Sequence, residues 1–572
     1  MKSLWWAKAL VPMCLVACTG FKLPETNAPQ GVKIVKRTEG REVVFEVKAN
    51  PDRAMPEPLK NIIRPIETED GDWLVLPSQE GLIYPVGINI PSRCSVYRTY
   101  TTGYDGFTLA FFGVVRGGRD GSGYMVIMET PDDAGFSMER INGRWTLAPW
   151  FDSQQGKFGY DRRVRYVPIQ KGGYVAMAKR YRQYAKERGL LKTYAEKAEY
   201  RPKVKGLVGA ANIWWWDRSV NYAQMAEELQ NAGIRRFIWS AGRGAAETKR
   251  IAAMKGVLVG RYDIYQDLYR PEVIEKMRAK SRGGKDPSQW KGPNHEAWPD
   301  DAAWSGTTPD TWVRGWGCPA EGGGRIACGV MCDLKAPKYF RKNVDKDLET
   351  LTYTSRFIDT TTAVPLRECR NPAHPMTRTQ SREARLELLK VCSCEYRFVT
   401  GSEVGADWSV PYCDYFEGMM SPCAFRIPNA GTDVEDECHE YPPAVKEWGL
   451  NPKYRIPLFD LVFRDCASSF WFWGDYNNKM PDLWDIRDRF NVLYGQMPMF
   501  IIDKPRWEKY RDRFIKSYQD CLNVAREAGY AEMTNHEMLS DDRMVQRTTF
   551  ANGASVTVDF ATGRTDIVPA KR

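Results

Sequence analysis

The chain has 572 residues, 43% hydrophobic and 12% aromatic, enough for about three or four domains around a large core. Its 82 basic residues face 72 acidic ones, and no basic motif accompanies the net charge of +10, which argues against nucleic-acid binding. Twenty Trp exceed what packing requires and point to aromatic stacking in a polar cleft.

The N-terminus reads as a targeting segment. Residues 1–8 are a basic stretch and 9–17 a short apolar one, too short to span a bilayer as a helix. Leu15-Val16-Ala17-Cys18 has the pattern of a bacterial lipobox. The expectation is a signal peptide over 1–17, lipidation at Cys18 and a tether over 18–30. That places an exported protein in the cell envelope, touching membrane only through its anchor. Thr19 after the cysteine fits an outer-membrane destination. Beyond Cys14 and Cys18, ten of the remaining cysteines lie between Cys318 and Cys466. In an oxidising compartment this predicts disulfides bracing long loops. Cys328-x3-Cys332 and Cys392-x-Cys394 lack a CxxC pair, and with four His in the chain no metal site is expected.

Residues 31–170 carry short β-type runs: 43–47, 73–76, 107–112 and 124–128, separated by turn residues including Asn142-Gly143. They predict an all-β sandwich. A helical linker, 171–203, contains a helix over 174–191. From 204 to 505 the pattern alternates strand and helix, predicting a central (β/α)8 barrel of the TIM type. Its strands are expected at 207–213, 234–239 and 257–260, then in runs ending on Asp359 and Glu403, then at 456–463. Two long excursions interrupt it. One, about 270–335, holds Trp290, Trp298, Trp304, Trp312 and Trp316; the other, 409–453, is rich in Cys and Pro. A loop that long in a compact domain is usually functional. The C-terminal part, 506–572, predicts a helix and a small β-domain with a hairpin turn at Asn552-Gly553. The fold class is therefore multidomain, α/β plus all-β.

The chemistry is expected where the barrel strands end. In Phe357-Ile358-Asp359 and Gly401-Ser402-Glu403, an apolar or small-residue strand ends on an acid. Two carboxylates from neighbouring strands suit glycosidic bond cleavage, where one is nucleophile and the other acid/base. Thr360, Thr361 and Thr362 offer hydroxyls to keep Asp359 ionised. Val404 and Trp408 offer an apolar wall to keep Glu403 protonated. Asp263, Trp216, Asp217, Trp408, Trp471, Trp473 and Asp475 are the candidate sugar contacts. The two carboxylates suffice, so no cofactor is implied.

The segments Tyr262-Asp263-Ile264-Tyr265, Phe357-Ile358-Asp359, Gly401-Ser402-Glu403 and Asp465-Cys466 to Trp473-Gly474-Asp475 resemble the α-N-acetylgalactosaminidases of glycoside hydrolase families 101 and 129. So does the order sandwich, barrel, small β-domain. The resemblance implies a retaining enzyme with Asp359 as nucleophile and Glu403 as acid/base, acting on α-linked galactose- or N-acetylgalactosamine-type sugars. Arg464 departs from the small or neutral group expected there. The alternative is a non-catalytic, glycan-binding lipoprotein that keeps the barrel and the aromatic cleft.

Overall fold

A computed structural model describes residues 25–89, 106–118, 121–141, 143–278, 294–320, 323–427, 430 and 434–571. Cys18 with its lipobox, Asn142 and Trp290 lie outside the described residues. The protein is a mixed α/β chain built on several sheets.

The N-terminal part holds a seven-stranded antiparallel sheet. Its strands lie in the order Val32–Glu39, Glu42–Ala49, Arg162–Ile169, Ser122–Met128, Phe111–Arg116, Trp73–Leu76, Leu82–Pro85. A second sheet is formed by Ile66–Glu67, Arg144–Phe151 and Ala134–Ile141. The predicted run 107–112 enters its strand only at Phe111. Phe136 of the short sheet stacks on Phe112 of the long one at 4.9 Å and on Phe107 at 4.5 Å, so the two apolar faces meet. Each such fully buried aromatic contributes about 1.5–3 kcal/mol through the water it sheds.

The helix Gly173–Glu187 leaves this unit. Arg182 on it holds the carboxylate of Asp465 through two bonds of 2.8 and 2.7 Å. The next helix, Tyr194–Tyr200, opens on a capping box formed by Thr193 and Glu196. Its Lys197, with Arg201 beyond it, reaches the buried Asp414 at 3.4 and 2.5 Å. That ionic knot fixes the entry to a strand that carries one of the site's acids.

Nine strands then run parallel in two sheets. One has the order Met499–Ile502, Ala211–Trp215, Phe237–Trp239, Val257–Val259. The other has the order Tyr262–Ile264, Ser355–Asp359, Val399–Glu403, Tyr415–Glu417, Ser468–Phe470. Helices, among them Tyr222–Asn231, Ala245–Ala252, Ala336–Leu348, Arg378–Lys390 and Trp484–Tyr494, alternate with these strands. Sequence and structure differ at two places. The run 456–463, expected as a strand, is the helix Leu458–Phe463, with all six residues buried. Burial on every side gives such a helix no amphipathic period to read. Conversely, Tyr415–Glu417 is a strand inside the stretch read as a Cys- and Pro-rich loop.

The Trp-rich excursion contributes a three-stranded antiparallel sheet, Asp267–Leu268, Arg325–Val330 and Arg314–Pro319. Its tryptophans pack on one another: Trp298 meets Trp312 edge-on at 5.3 Å, and Arg270 lies over the Trp312 ring at 4.6 Å. The eleven cysteines among the described residues are free thiols. At the C-terminus, the helix Lys504–Ala528 precedes a four-stranded antiparallel sheet, Met533–Met538 to Thr565–Val568. Gly553, at φ 86°, takes the left-handed corner of its hairpin turn. Phe560 packs on Phe490 at 4.7 Å, seating this sheet against the helix Trp484–Tyr494. Among the described residues no helix is long and apolar enough to cross a membrane.

Candidate active site

Three adjacent parallel strands end on acids: Ser355–Asp359, Val399–Glu403 and Tyr415–Glu417. Ile358 lies opposite Ser402, and Glu403 opposite Glu417, so the three carboxyl side chains leave neighbouring strands at one level. Parallel strands in matching register project matching residues to the same face. Close approach of the strands needs Gly401, where any Cβ would stand 2.1 Å from the Tyr415 ring.

Asp359 and Glu403 end adjacent strands side by side, and the Glu403 carboxyl helps to hold the Asp359 carboxyl down against the effect of burial. The Tyr262 hydroxyl donates a bond to Asp359 Oδ2, 2.6 Å long. Dense packing raises the Asp359 carboxyl above its ordinary pKa, against the opposing effects of Tyr262, the Thr360 amide and Glu403. Tyr262 is itself held well above the usual phenol range, by burial first and the Asp359 charge second, so it stays a donor. The threonines do a different job from the one expected of them. Thr360 Oγ1 donates to the Asp359 backbone carbonyl at 2.7 Å and Thr362 Oγ1 to that of Glu403 at 2.5 Å. Their hydroxyls fix the strand ends and leave the carboxylate to Tyr262 and the Thr360 amide.

The backbone is strained at both acids. Thr360 has φ 60° and Val404 φ 39°, each directly after one of the pair. β-Branched residues rarely enter the left-handed region, and such outliers concentrate at functional sites.

Glu417 was not singled out in the sequence. It is fully buried and accepts hydrogen bonds from Asn212 Nδ2 at 2.6 Å, from Trp214 Nε1 at 3.1 Å and from Trp473 Nε1. Burial pushes its pKa up to about 8 in spite of those donors. Sealed from solvent, it anchors the indoles of Trp214 and Trp473. Trp473 stands at the centre of an aromatic cluster beside the acids, with Trp214 at 4.6 Å, Tyr262 at 5.3 Å, Trp216 at 5.4 Å and Phe357 at 6.1 Å. Asp267 is a second acid outside the expected set. It is buried near Asp359, and burial lifts its pKa to about 6.

The structure therefore gathers Asp359, Glu403, Trp216 and Trp473. It gives other partners to several further candidates. Asp263 faces the opposite side of its strand from Tyr262 and pairs with Arg356 at 2.8 Å. Asp217 accepts from Ser219 Oγ at 2.6 Å in an exposed turn. Trp471 is core, its indole N–H donating to Asn491 at 2.7 Å and its face covered by Arg455 and Arg487. Asp475 is ion-paired to the buried Arg487. Trp408 is buried close behind Glu403 in the chain. Arg464 turns away from the acids to the carbonyls of Tyr494 and Gly495, the latter at 2.6 Å.

Residues 434–549 match the model of a family described as glycosyl hydrolases related to the GH101 family, GH129. Solved structures of the α-N-acetylgalactosaminidase NagBb from Bifidobacterium bifidum share the fold. Its ligand-free form is 20% identical, with a TM-score of 0.68, covering 96% of this chain and 95% of that one. The complex with GalNAc is 22% identical at TM-score 0.68, covering 92% and 85%. The complex with Gal-NHAc-DNJ is 21% identical at TM-score 0.69, covering 93% and 85%. No curated protein matches by sequence. The family match and the shared fold agree: the chain resembles glycoside hydrolases related to families 101 and 129 and has the fold of NagBb.

Proposed function

We propose that this chain is a retaining glycoside hydrolase that cleaves α-linked galactose- or N-acetylgalactosamine-type sugars from glycans. The observation that carries this reading is the placement of Asp359 and Glu403, in matching register, at the ends of adjacent parallel strands. Retaining enzymes hold their two carboxyls about 5–5.5 Å apart, inverting ones about 6.5–9.5 Å apart with a water between. Adjacent strand ends in register favour the shorter separation.

In this mechanism Asp359, ionised and steadied by Tyr262, attacks the anomeric carbon. Glu403 delivers its proton to the leaving oxygen. The resulting glycosyl ester at Asp359 is then hydrolysed by a water that Glu403, now ionised, deprotonates. Trp473 and Trp216 offer apolar faces to the sugar ring, and Asp267 a polar edge for its hydroxyls.

The reading includes one (β/α)8 barrel made from the two parallel sheets. Two observations support it. The stretch 257–264 contributes a strand to each sheet. On the other side, Asn478 brackets Ile501 as a neighbouring strand would, accepting from its N–H at 3.3 Å and donating to its carbonyl at 2.9 Å. Export and lipid attachment at Cys18 complete the proposal, on the strength of the lipobox pattern.

The test is a panel of aryl α- and β-glycosides given to the chain from Thr19 onward and to its Asp359→Asn and Glu403→Gln variants. One α-glycoside is cleaved, the first-formed sugar keeps its anomeric configuration, and each variant loses about 10²–10⁴-fold in kcat/KM. Azide restores turnover to the Glu403 variant alone. Glycan binding without any cleavage makes the protein a binding lipoprotein instead.

A further inference from the structure

We infer that Cys332, Cys369 and His374 bind one soft d¹⁰ cation, Zn²⁺ or Cu⁺, with the Met376 thioether on the remaining side. One ligand atom from each of the three residues lies within 4.8 Å of the others. Cys369 Sγ is 3.5 Å from His374 Nδ1, and Cys332 Sγ is 3.8 Å from Met376 Sδ. Metal–sulfur bonds of about 2.3 Å and metal–nitrogen bonds of about 2.0–2.1 Å at tetrahedral angles give ligand–ligand edges of about 3.5–3.8 Å. Both of these edges have that length, and the remaining separations among Cys332, Cys369 and His374 stay within 4.8 Å, close enough for one cation to draw the groups together.

The surroundings are built for such an ion. The other ring nitrogen of His374, Nε2, lies 2.9 Å from the carbonyl of Asp300. A carbonyl can only accept, so Nε2 carries the hydrogen and Nδ1 turns its lone pair towards the sulfurs, the second-shell arrangement that orients a metal-binding histidine. The Trp304 amide donates to Cys369 Sγ at 3.4 Å, a bond that favours a thiolate. Paired hydrogen bonds between the backbones of Cys369 and Met376, 2.8 and 2.9 Å, close the loop that presents three of the four groups. The two cysteines and Met376 are almost wholly excluded from water, and His374 is buried. Two thiolates, an imidazole and a thioether are the soft donor set that selects Zn²⁺ or Cu⁺ over Mg²⁺ or Ca²⁺.

The ion would staple two segments. Cys332 closes the Trp-rich excursion, whereas Cys369, His374 and Met376 lie on the loop that follows the Asp359 strand. The inference does not depend on the glycosidase reading.

The experiment loads the purified full chain with Zn²⁺ alone or Cu⁺ alone, desalts it, and measures bound metal together with the X-ray absorption of the bound ion. The expected result is one equivalent of one of the two ions, with sulfur and nitrogen neighbours near the distances above. Cys369→Ser and His374→Ala lose at least nine-tenths of it, and Cys394→Ser, away from the site, keeps it. Alkylation of the wild type gives a second readout independent of whether the variants fold: Cys332 and Cys369 are protected when loaded and labelled after chelation. Absence of bound metal, metal retained in all three variants, or a Cys332–Cys369 disulfide in the isolated protein each overturns the inference.

Discussion

Tyr262→Phe separates the proposed nucleophile from its donor while keeping the ring. The lost bond is 2.6 Å long and ends on a carboxylate. Hydrogen bonds to charged groups are worth about 1.5–3 kcal/mol, and 1.36 kcal/mol corresponds to one pKa unit. The bond stabilises the ionised form of Asp359, so its removal raises that carboxyl's pKa. The nucleophile must be ionised, and the acid limb of kcat/KM therefore moves to higher pH, by about one to two pH units. Tyr262 keeps its proton throughout the working range, so the wild-type limb reports Asp359 and not the phenol. The Phe ring retains the contacts with Trp473 at 5.3 Å and Phe357 at 6.2 Å, which isolates the hydroxyl. The assay is kcat/KM for the best aryl glycoside from about pH 4 to 9, beside wild type, with the unfolding midpoint measured at each end. On the alkaline side of the shifted limb the variant recovers to within about tenfold of wild type. An acid limb that stays in place, or a profile that falls equally at every pH, refutes the reasoning.

Asp263→Ala leaves the buried Arg356 guanidinium with Asp347 as its remaining carboxylate partner. We expect a loss of about 3–5 kcal/mol in urea unfolding with KM unchanged in the folded fraction; a raised KM at full stability would put Asp263 in the cleft after all. For Glu417 the folded pKa of about 8 lies above the ordinary carboxyl value. Stability tied to it is complete below that ordinary value and lost as pH rises through about 8. Glu417→Gln, uncharged throughout, has a flatter dependence of unfolding midpoint on pH across that interval, and an unchanged slope refutes the assignment. Gly401→Ala sets a methyl against the Tyr415 ring, a contact that would be 2.1 Å long without movement. It costs about 1–3 kcal/mol and lowers kcat by displacing Glu403; wild-type melting and turnover would mean that the strands are not this tightly set.

Parity explains much of what could and could not be read from the sequence. Strand residues alternate between faces, so a single step decides whether a side chain enters a cleft or the opposite layer. Asp263 looked like the site residue of its strand because it is an acid. The neighbouring Tyr262 has the inward position, and Asp263 faces the ion pair with Arg356. The strands ending on Asp359 and Glu403 were legible because a strand-like run precedes each acid and looser residues follow. Tyr415-Phe416-Glu417 obeys the same rule in only three residues, amid cysteines and prolines, where periodicity has no room to show. The helix Leu458–Phe463 was misread for the converse reason, since apolar residues on all its faces erase the helical period. The Cys332–Cys369–His374 cluster had only a partial local signature: Cys369 and His374 share a short loop, but Cys332 is brought to them across a helix and a strand.

The two positive-φ residues bear on why the acids lie where they do. A β-branched residue in that region costs about 1–3 kcal/mol and persists only when its surroundings over-determine it. They do so here. The Val404 amide is held by the Glu417 carbonyl at 2.7 Å, and Thr361 N turns back onto the Asp359 carbonyl at 2.7 Å. Ser402 Oγ ties the Glu403 strand to the Ile358 carbonyl at 2.6 Å, and Thr362 Oγ1 ties the next loop to the Glu403 carbonyl at 2.5 Å. The Thr361 bond closes the Asp359 corner on itself, and the other three join the strand or corner of one acid to that of another. A chain that needed Asp359 and Glu403 only as isolated surface acids would have no use for corners this costly. A chain that works as proposed, with one carboxyl facing the anomeric carbon and the other the leaving oxygen, needs both corners locked to each other.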